Sequence, residues 1–146
     1  MFGIFFKRMN ISVNRSSIKD SHKAYKRARN DLRKGISLAI FPEATIPACS
    51  PELGPFKNGA FRLAIEMQVP IVPITFLDNW SIFPDNNENR MVLRPGLSRI
   101  VIHEPIPTTG LTEEDANNLR DKVAVIIRNT LEQEGRCFFS RKKAGK

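Results

Sequence analysis

The chain has 146 residues, 41% hydrophobic and 26% charged, and its 23 Lys and Arg against 15 Asp and Glu leave a formal charge of +8. This composition suits one soluble domain able to bury a core and excludes a charge-blocked disordered chain. The longest uncharged apolar stretch, around Val69 to Leu77, falls far short of the ~20 residues of a membrane-spanning helix, and MFGIFF at the start is too short for a signal peptide and precedes Lys7 and Arg8.

The first predicted element is a strand over 10–15. A helix over 18–33 follows, with Ile18, Tyr25, Ala28 and Leu32 on one stripe, basic residues around them, and Gly35 just past its end. ISLAIF, residues 36–41, reads as a buried strand that Pro42 cannot continue. An irregular loop over 42–57 leads to a helix over 58–67 and a strand over 71–76. FLDNWSIFPDNNENR then reads as a loop, and strands over 91–94 and 98–103 flank the Pro95-Gly96 turn as a hairpin or bulged pair.

The clearest helix comes last. Thr112 with Asp115 resembles a capping box, Glu113 and Glu114 suit the positive helix end, and Gly135 is placed to stop it. Leu119, Val123, Ile126, Ile127 and Thr130 recur at helical spacing, and burying three such aliphatics contributes on the order of 5 kcal/mol before entropy. Residues 1–135 form one domain and 136–146 a basic tail without order. The alternation of elements predicts an α/β fold: a mainly parallel central sheet flanked by helices, closed by an antiparallel strand pair and the last helix.

Glu43 falls at the mouth of the predicted strand, outside the carboxyl edge where open α/β sheets hold ligands, although a loop carboxylate paired with a Lys or Arg fits equally well. Lys57 stands before a helix that starts near Gly59, where backbone N–H groups and the helix dipole add to its attraction for phosphate; the alternative is a surface lysine. His22 belongs to a solvated helix face, and His103, beside Glu104, to a strand end. Cys49 and Cys137 form no metal-binding cluster and declare no disulfide, and Cys49 reads as a plain loop thiol. Three basic clusters, Lys19 to Lys34, Arg90 to Arg99 and Arg136 to Lys146, imply anionic partners. A nucleic-acid-binding domain is the rival from another class, but no aromatic-interleaved basic strand or zinc spacing accompanies the charge.

Three ordered blocks, FPEAT (41–45), FKNGAF (56–61) and VPIVPITF (69–76), resemble the glycerolipid acyltransferase family typified by the 1-acyl-sn-glycerol-3-phosphate (lysophosphatidate) acyltransferases. ISVNR (11–15) resembles that family's strand carrying a phosphate-binding Arg, with Ser12 and Asn14 in place of the usual Phe and Asp. Ala44 stands where the family mostly has Gly, and Ile46 and Pro47 where it has Arg and Ser, so phosphate charge falls on Arg15, Lys57 and Arg62. The family's catalytic His and Asp, separated by four residues, are absent from the 146 residues. The resemblance therefore implies an amino-terminally truncated, partial domain in which Met1 is an internal methionine and apolar surface, MFGIFF included, is exposed.

The implied activity is transfer of an acyl group from acyl-CoA or acyl-carrier protein, as co-substrate and without a cofactor, to the free hydroxyl of 1-acyl-glycerol-3-phosphate, giving phosphatidate. The implied acceptor site is Asn14, Arg15, Pro42, Glu43, Ala44, Thr45 and Lys57. Arg15 and Lys57 would bind phosphate, Glu43 would meet the glycerol backbone or basic neighbours, and Thr45 would steady the bend. The chain alone would be inactive, peripheral at the cytoplasmic face of an anionic membrane, and without nucleic acid. The alternative is a catalytically inactive domain that binds lysophospholipid or a partner acyltransferase.

Overall fold

The structure, a computed structural model, describes residues 11, 18–43, 53–82 and 95–143. The predicted strands over 10–15 and 91–94 lie outside the described residues, Ile11 excepted, as do Cys49 and residues 83–90.

Helix α1, Ile18–Arg33, occupies the predicted range. Gly35 at φ +78° ends it: Gly35 N–H donates to Leu32 O at 2.9 Å and Ile36 N–H to Asp31 O at 3.0 Å, satisfying carbonyls of the last turn. Its stripe buries Ala28 fully and Tyr25 and Leu32 partly. Helix α2, Gly59–Met67, lies against α1, and the two are joined through Glu66. Tyr25 Oη donates to Glu66 Oε2 at 2.8 Å and Arg29 Nη1 to Oε1 at 2.9 Å. Burial, then the hydrogen bond to Glu66, pushes the Tyr25 phenol up to about 12, while Arg29 and then Tyr25 hold the Glu66 carboxyl below its ordinary range.

The predicted buried strand over 36–41 forms no ladder with any described residue, and Ile36, Ile40 and Phe41 are 51%, 49% and 76% exposed. An apolar run becomes a central strand only where neighbours on both sides take up its N–H and C=O groups, and sequence does not show whether they are in place. The mainly parallel sheet is accordingly not found among the described residues. Their sheet is two-stranded and antiparallel, β1 (Ile74–Phe76) on β2 (Ile100–Ile102), with Ile74 opposite Ile102 and Phe76 opposite Ile100.

An isolated bridge joins Ile71 to Ile106, so the predicted strand over 71–76 is interrupted at residues 72 and 73. Pro73 has no N–H to give a ladder, though its carbonyl accepts His103 N–H at 3.0 Å. On one sheet face Thr75 is buried and Val101 half-buried. The opposite face, Ile74, Phe76, Ile100 and Ile102, is apolar and exposed, with the Phe41 ring 6.4 Å from that of Phe76. MFGIFF, which the sequence placed on an exposed apolar surface, lies outside the described residues.

The predicted loop after β1 contains a short helix, α3, Asn79–Ile82, with Trp80 Nε1 donating to Leu77 O. Asp78, 5% exposed, accepts Arg99 N–H at 3.0 Å, Nε at 2.8 Å and Nη2 at 2.9 Å. This bidentate pair clips the end of β1 to the approach of β2, and the Arg99 hydrogen bonds hold the Asp78 carboxyl below its ordinary range. Because both Asp78 and Glu66 are depressed, their stabilisation is complete above the ordinary carboxylate range and lost as pH falls through it. Stability should therefore drop progressively below about pH 5. Urea midpoints at neutral and acid pH check this, and Asp78→Asn should blunt the acid loss while lowering stability at pH 7.

Thr112 and Asp115 form the predicted capping box, with Thr112 N–H donating to Asp115 Oδ2 at 2.8 Å. A 3-10 turn, Glu113–Asp115, leads into helix α4, Ala116–Lys143. Gly135 does not end α4, and the backbone of 136–143, read from sequence as a tail, is helical. A lone glycine costs a helix only about 1 kcal/mol and stops it only where no helix-forming residues follow. Leu119 and Val123 of α4 meet Phe56, Phe61 and Ile65 from the α2 region, with Ile106 and Ala116, in one buried cluster that Ile126 and Ile127 flank.

Candidate functional site

The proline after ISLAIF turns the chain, and two hydrogen bonds then close the loop it opens. Lys57 N–H donates to Pro42 O at 2.8 Å. Gly54 N–H donates to Glu43 Oε2 at 2.9 Å. The start of FPEAT and the start of FKNGAF, separated by a loop in sequence, are thus held side by side. Glu43 is half-buried and, among the described residues, in no ion pair, so its carboxylate ties the loop backbone instead of a Lys or Arg.

α2 is placed by its buried face, which carries Phe61, Leu63, Ala64 and Ile65, and by a lock at its far end. Gln68 adopts a left-handed φ of +52°, a conformation costly for a side-chain-bearing residue. Its amide offsets that cost by donating to Ile65 O at 2.6 Å and accepting Gly110 N–H at 2.7 Å. Lys57 is therefore presented just ahead of a rigid helix start. It is exposed and in no ion pair among the described residues, whereas Arg62, one turn along, faces Glu113 at 3.4 Å. A cation with free donors beside helical N–H groups can hold a phosphate.

Asn58, between Lys57 and Gly59, has helical backbone (φ −73°, ψ −13°) and does not cap α2 with its side chain. Its Nδ2 donates to Asn117 Oδ1 at 2.8 Å, and Arg120 Nη1 donates to its Oδ1 at 3.0 Å. Sequence reasoning missed Gly54, Asn117 and Arg120. Asn117 and Arg120 do share a helix face at i, i+3 spacing, but nothing along the chain says that this face meets Asn58.

Of the residues predicted for the site, the structure brings Pro42, Glu43 and Lys57 together, while Asn14, Arg15, Ala44 and Thr45 lie outside the described residues. His22 is exposed on α1. His103 is half-buried, not a free rim residue, and its Nε2 lies 2.9 Å from the hydroxyl of buried Thr75. Among the described residues neither imidazole is hydrogen-bonded to a carboxylate.

Residues 1–77 match the acyltransferase family. An uncharacterized acyltransferase of Schizosaccharomyces pombe is 34% identical over 123 residues, 83% of this chain and 43% of the relative. The human 1-acyl-sn-glycerol-3-phosphate acyltransferase alpha is 38% identical over 96 residues, 66% of this chain and 32% of its own length. Among solved structures, the 1-acyl-sn-glycerophosphate acyltransferase of Thermotoga maritima superposes with a TM-score of 0.66 at 25% identity, over 77% of this chain and 44% of that one. The chain thus spans less than half the length of these relatives. With the matched region ending at Leu77 and enclosing both tied blocks, the chain belongs to the acyltransferase family.

Proposed function

We propose that this chain supplies the acceptor-binding part of an acyltransferase of phospholipid synthesis, one that acylates the free hydroxyl of 1-acyl-sn-glycerol-3-phosphate to give phosphatidate. The observation that carries this reading is the 2.8 Å bond from Lys57 N–H to Pro42 O, which sets Lys57 and the helix start beside the FPEAT block. The activity by which the human relative is named, 1-acyl-sn-glycerol-3-phosphate acylation, supports the same acceptor. Lys57, the first N–H groups of α2 and Arg15 bind the phosphate dianion. Glu43, with Asn14, Pro42, Ala44 and Thr45, shapes the pocket for the glycerol backbone.

In the reaction a base takes the acceptor's hydroxyl proton, the oxygen bonds to the thioester carbonyl carbon, and the carbon–sulfur bond breaks to release the thiol of acyl-CoA or acyl-carrier protein. No cofactor takes part. No His in the 146 residues has an Asp five residues after it, so in this reading the chain binds and orients the acceptor. The second reading is a domain that binds lysophospholipid without catalysis; among the described residues His103 Nε2 meets the Thr75 hydroxyl and not a carboxylate. The exposed basic face of α1 suits a peripheral position on an anionic cytoplasmic leaflet. No helix among the described residues is long and apolar enough to cross a membrane.

Binding to phosphatidylcholine vesicles doped with lysophosphatidate, against vesicles of equal charge made with phosphatidylglycerol, tests the acceptor assignment. Lys57→Ala should weaken the lysophosphatidate-specific part about tenfold, the loss of one charge-assisted contact. Acyl-CoA binding should be unchanged. Equal loss for both ligands, or none for either, refutes a phosphate role for Lys57. The intact mass of the protein in its own cells then separates the two readings: 16.6 kDa supports binding alone, and a larger mass supports catalysis.

A further inference from the structure

We propose that the open apolar face of the β1–β2 sheet is a dimer interface, covered by the same face of a second copy of this chain.

Strand alternation puts Thr75 and Val101 on one side of the sheet and Ile74, Phe76, Ile100 and Ile102 on the other. Thr75 is 1% exposed, and α4 lies against β1 on that side. The opposite side stays open, with Ile74, Phe76, Ile100 and Ile102 at 44%, 38%, 50% and 71% exposure. Phe41 extends this face past β1, its ring tilted by 32° against that of Phe76. An antiparallel sheet with one face in water alternates apolar with polar residues, whereas here every paired position on the outer side is Ile or Phe. The strands are therefore composed for burial on both faces, and a two-stranded sheet is marginal without such cover.

Size and charge point to the occupant. Covering the five half-exposed Ile and Phe side chains removes on the order of 500 Å² of apolar surface per copy, toward the upper end of what a monomer leaves in one patch. Two copies together bury about 1,000 Å², the size at which specific but weak association begins. None of the five positions is charged, so two copies, each at +8, meet here without burying like charges. An anionic lipid surface or a nucleic acid would call for cations at the contact instead. Glu104, exposed two residues past Ile102, puts the opposite sign at the margin. Because the two faces are identical, a two-fold axis satisfies both at once and closes the assembly at two.

Sedimentation equilibrium of the full 146-residue chain tests this. The mass should rise with concentration from 16.6 kDa toward twice that value and level off, with a dissociation constant on the order of 10 µM. Raising NaCl from about 50 to about 500 mM should tighten the dimer, because it screens the repulsion between the two net charges. Ile102→Lys should weaken self-association by more than about tenfold. Ile102→Thr, which keeps a β-branched residue in β2, should weaken it in the same direction with the circular dichroism unchanged. Val125→Lys, at an exposed aliphatic of α4, should leave the dimer as it is.

A mass that stays at 16.6 kDa up to about 0.5 mM overturns the proposal. Growth past a dimer, or equal weakening by Ile102→Lys and Val125→Lys, also overturns it, since either means association without a defined face. Flotation with phosphatidylglycerol vesicles decides against the other occupant: if the wild-type chain floats as a monomer and Ile102→Thr does not, the face meets lipid and not a second copy.

Discussion

Phe61→Ala should destabilise the protein by about 3–5 kcal/mol, the largest effect expected from a single substitution in the described residues. Phe61 is 2% exposed and packs in the cluster with Phe56, Ile65, Leu119 and Val123, its ring 6.5 Å from that of Phe56. Removing it deletes the contact that seats α2 on α4 and leaves a cavity that neighbouring helices cannot both fill. With a urea slope of about 2 kcal/mol per molar for a domain of this size, the midpoint should fall by about 2 M. The same substitution should weaken lysophosphatidate binding even at temperatures where the variant is folded, because Lys57 and Asn58 begin the helix that Phe61 anchors. A loss below about 1 kcal/mol would mean that the α2–α4 core is not formed in solution.

Glu43→Ala should lower lysophosphatidate-specific vesicle binding by at least about tenfold while costing only about 1 kcal/mol of global stability. The asymmetry follows from its position. Glu43 is half-buried and bonded to one loop N–H, that of Gly54, so it contributes little to the core. Its loss nevertheless releases the loop that brings FPEAT beside FKNGAF. Glu43→Gln keeps an acceptor oxygen for Gly54 and should recover the stability and most of the binding if the tie is what matters. Full affinity in Glu43→Ala would remove Glu43 from the site altogether.

Some of this was legible along the chain. The helix over 18–33 with its Gly35 stop, the helix starting after Lys57, and the Thr112-Asp115 capping box all appear as predicted, because capping and helical periodicity are decided by residues within one or two turns. The nearness of the FPEAT and FKNGAF blocks, which the Lys57 N–H to Pro42 O bond ties together, was likewise readable from their order. The family could be named from those residues before any coordinate was placed.

What the sequence determined by itself was therefore local: where helices begin, which aliphatics of α4 face inward, and which blocks carry chemistry. Tertiary structure alone decided the rest. ISLAIF has the composition of a buried strand, yet whether it becomes one depends on backbone partners from elsewhere, and among the described residues none pairs with it. Gly135 resembles a stop, yet α4 continues past it, since one glycine's cost is small against a long run of helical hydrogen bonds. The grip of Arg120 and Asn117 on Asn58 joins residues about 60 apart in sequence, and such a contact is set by how α2 and α4 pack through Phe61 and Leu119. Local propensity is written in neighbouring side chains, whereas long-range hydrogen-bond partners exist only once burial has chosen which helix faces meet.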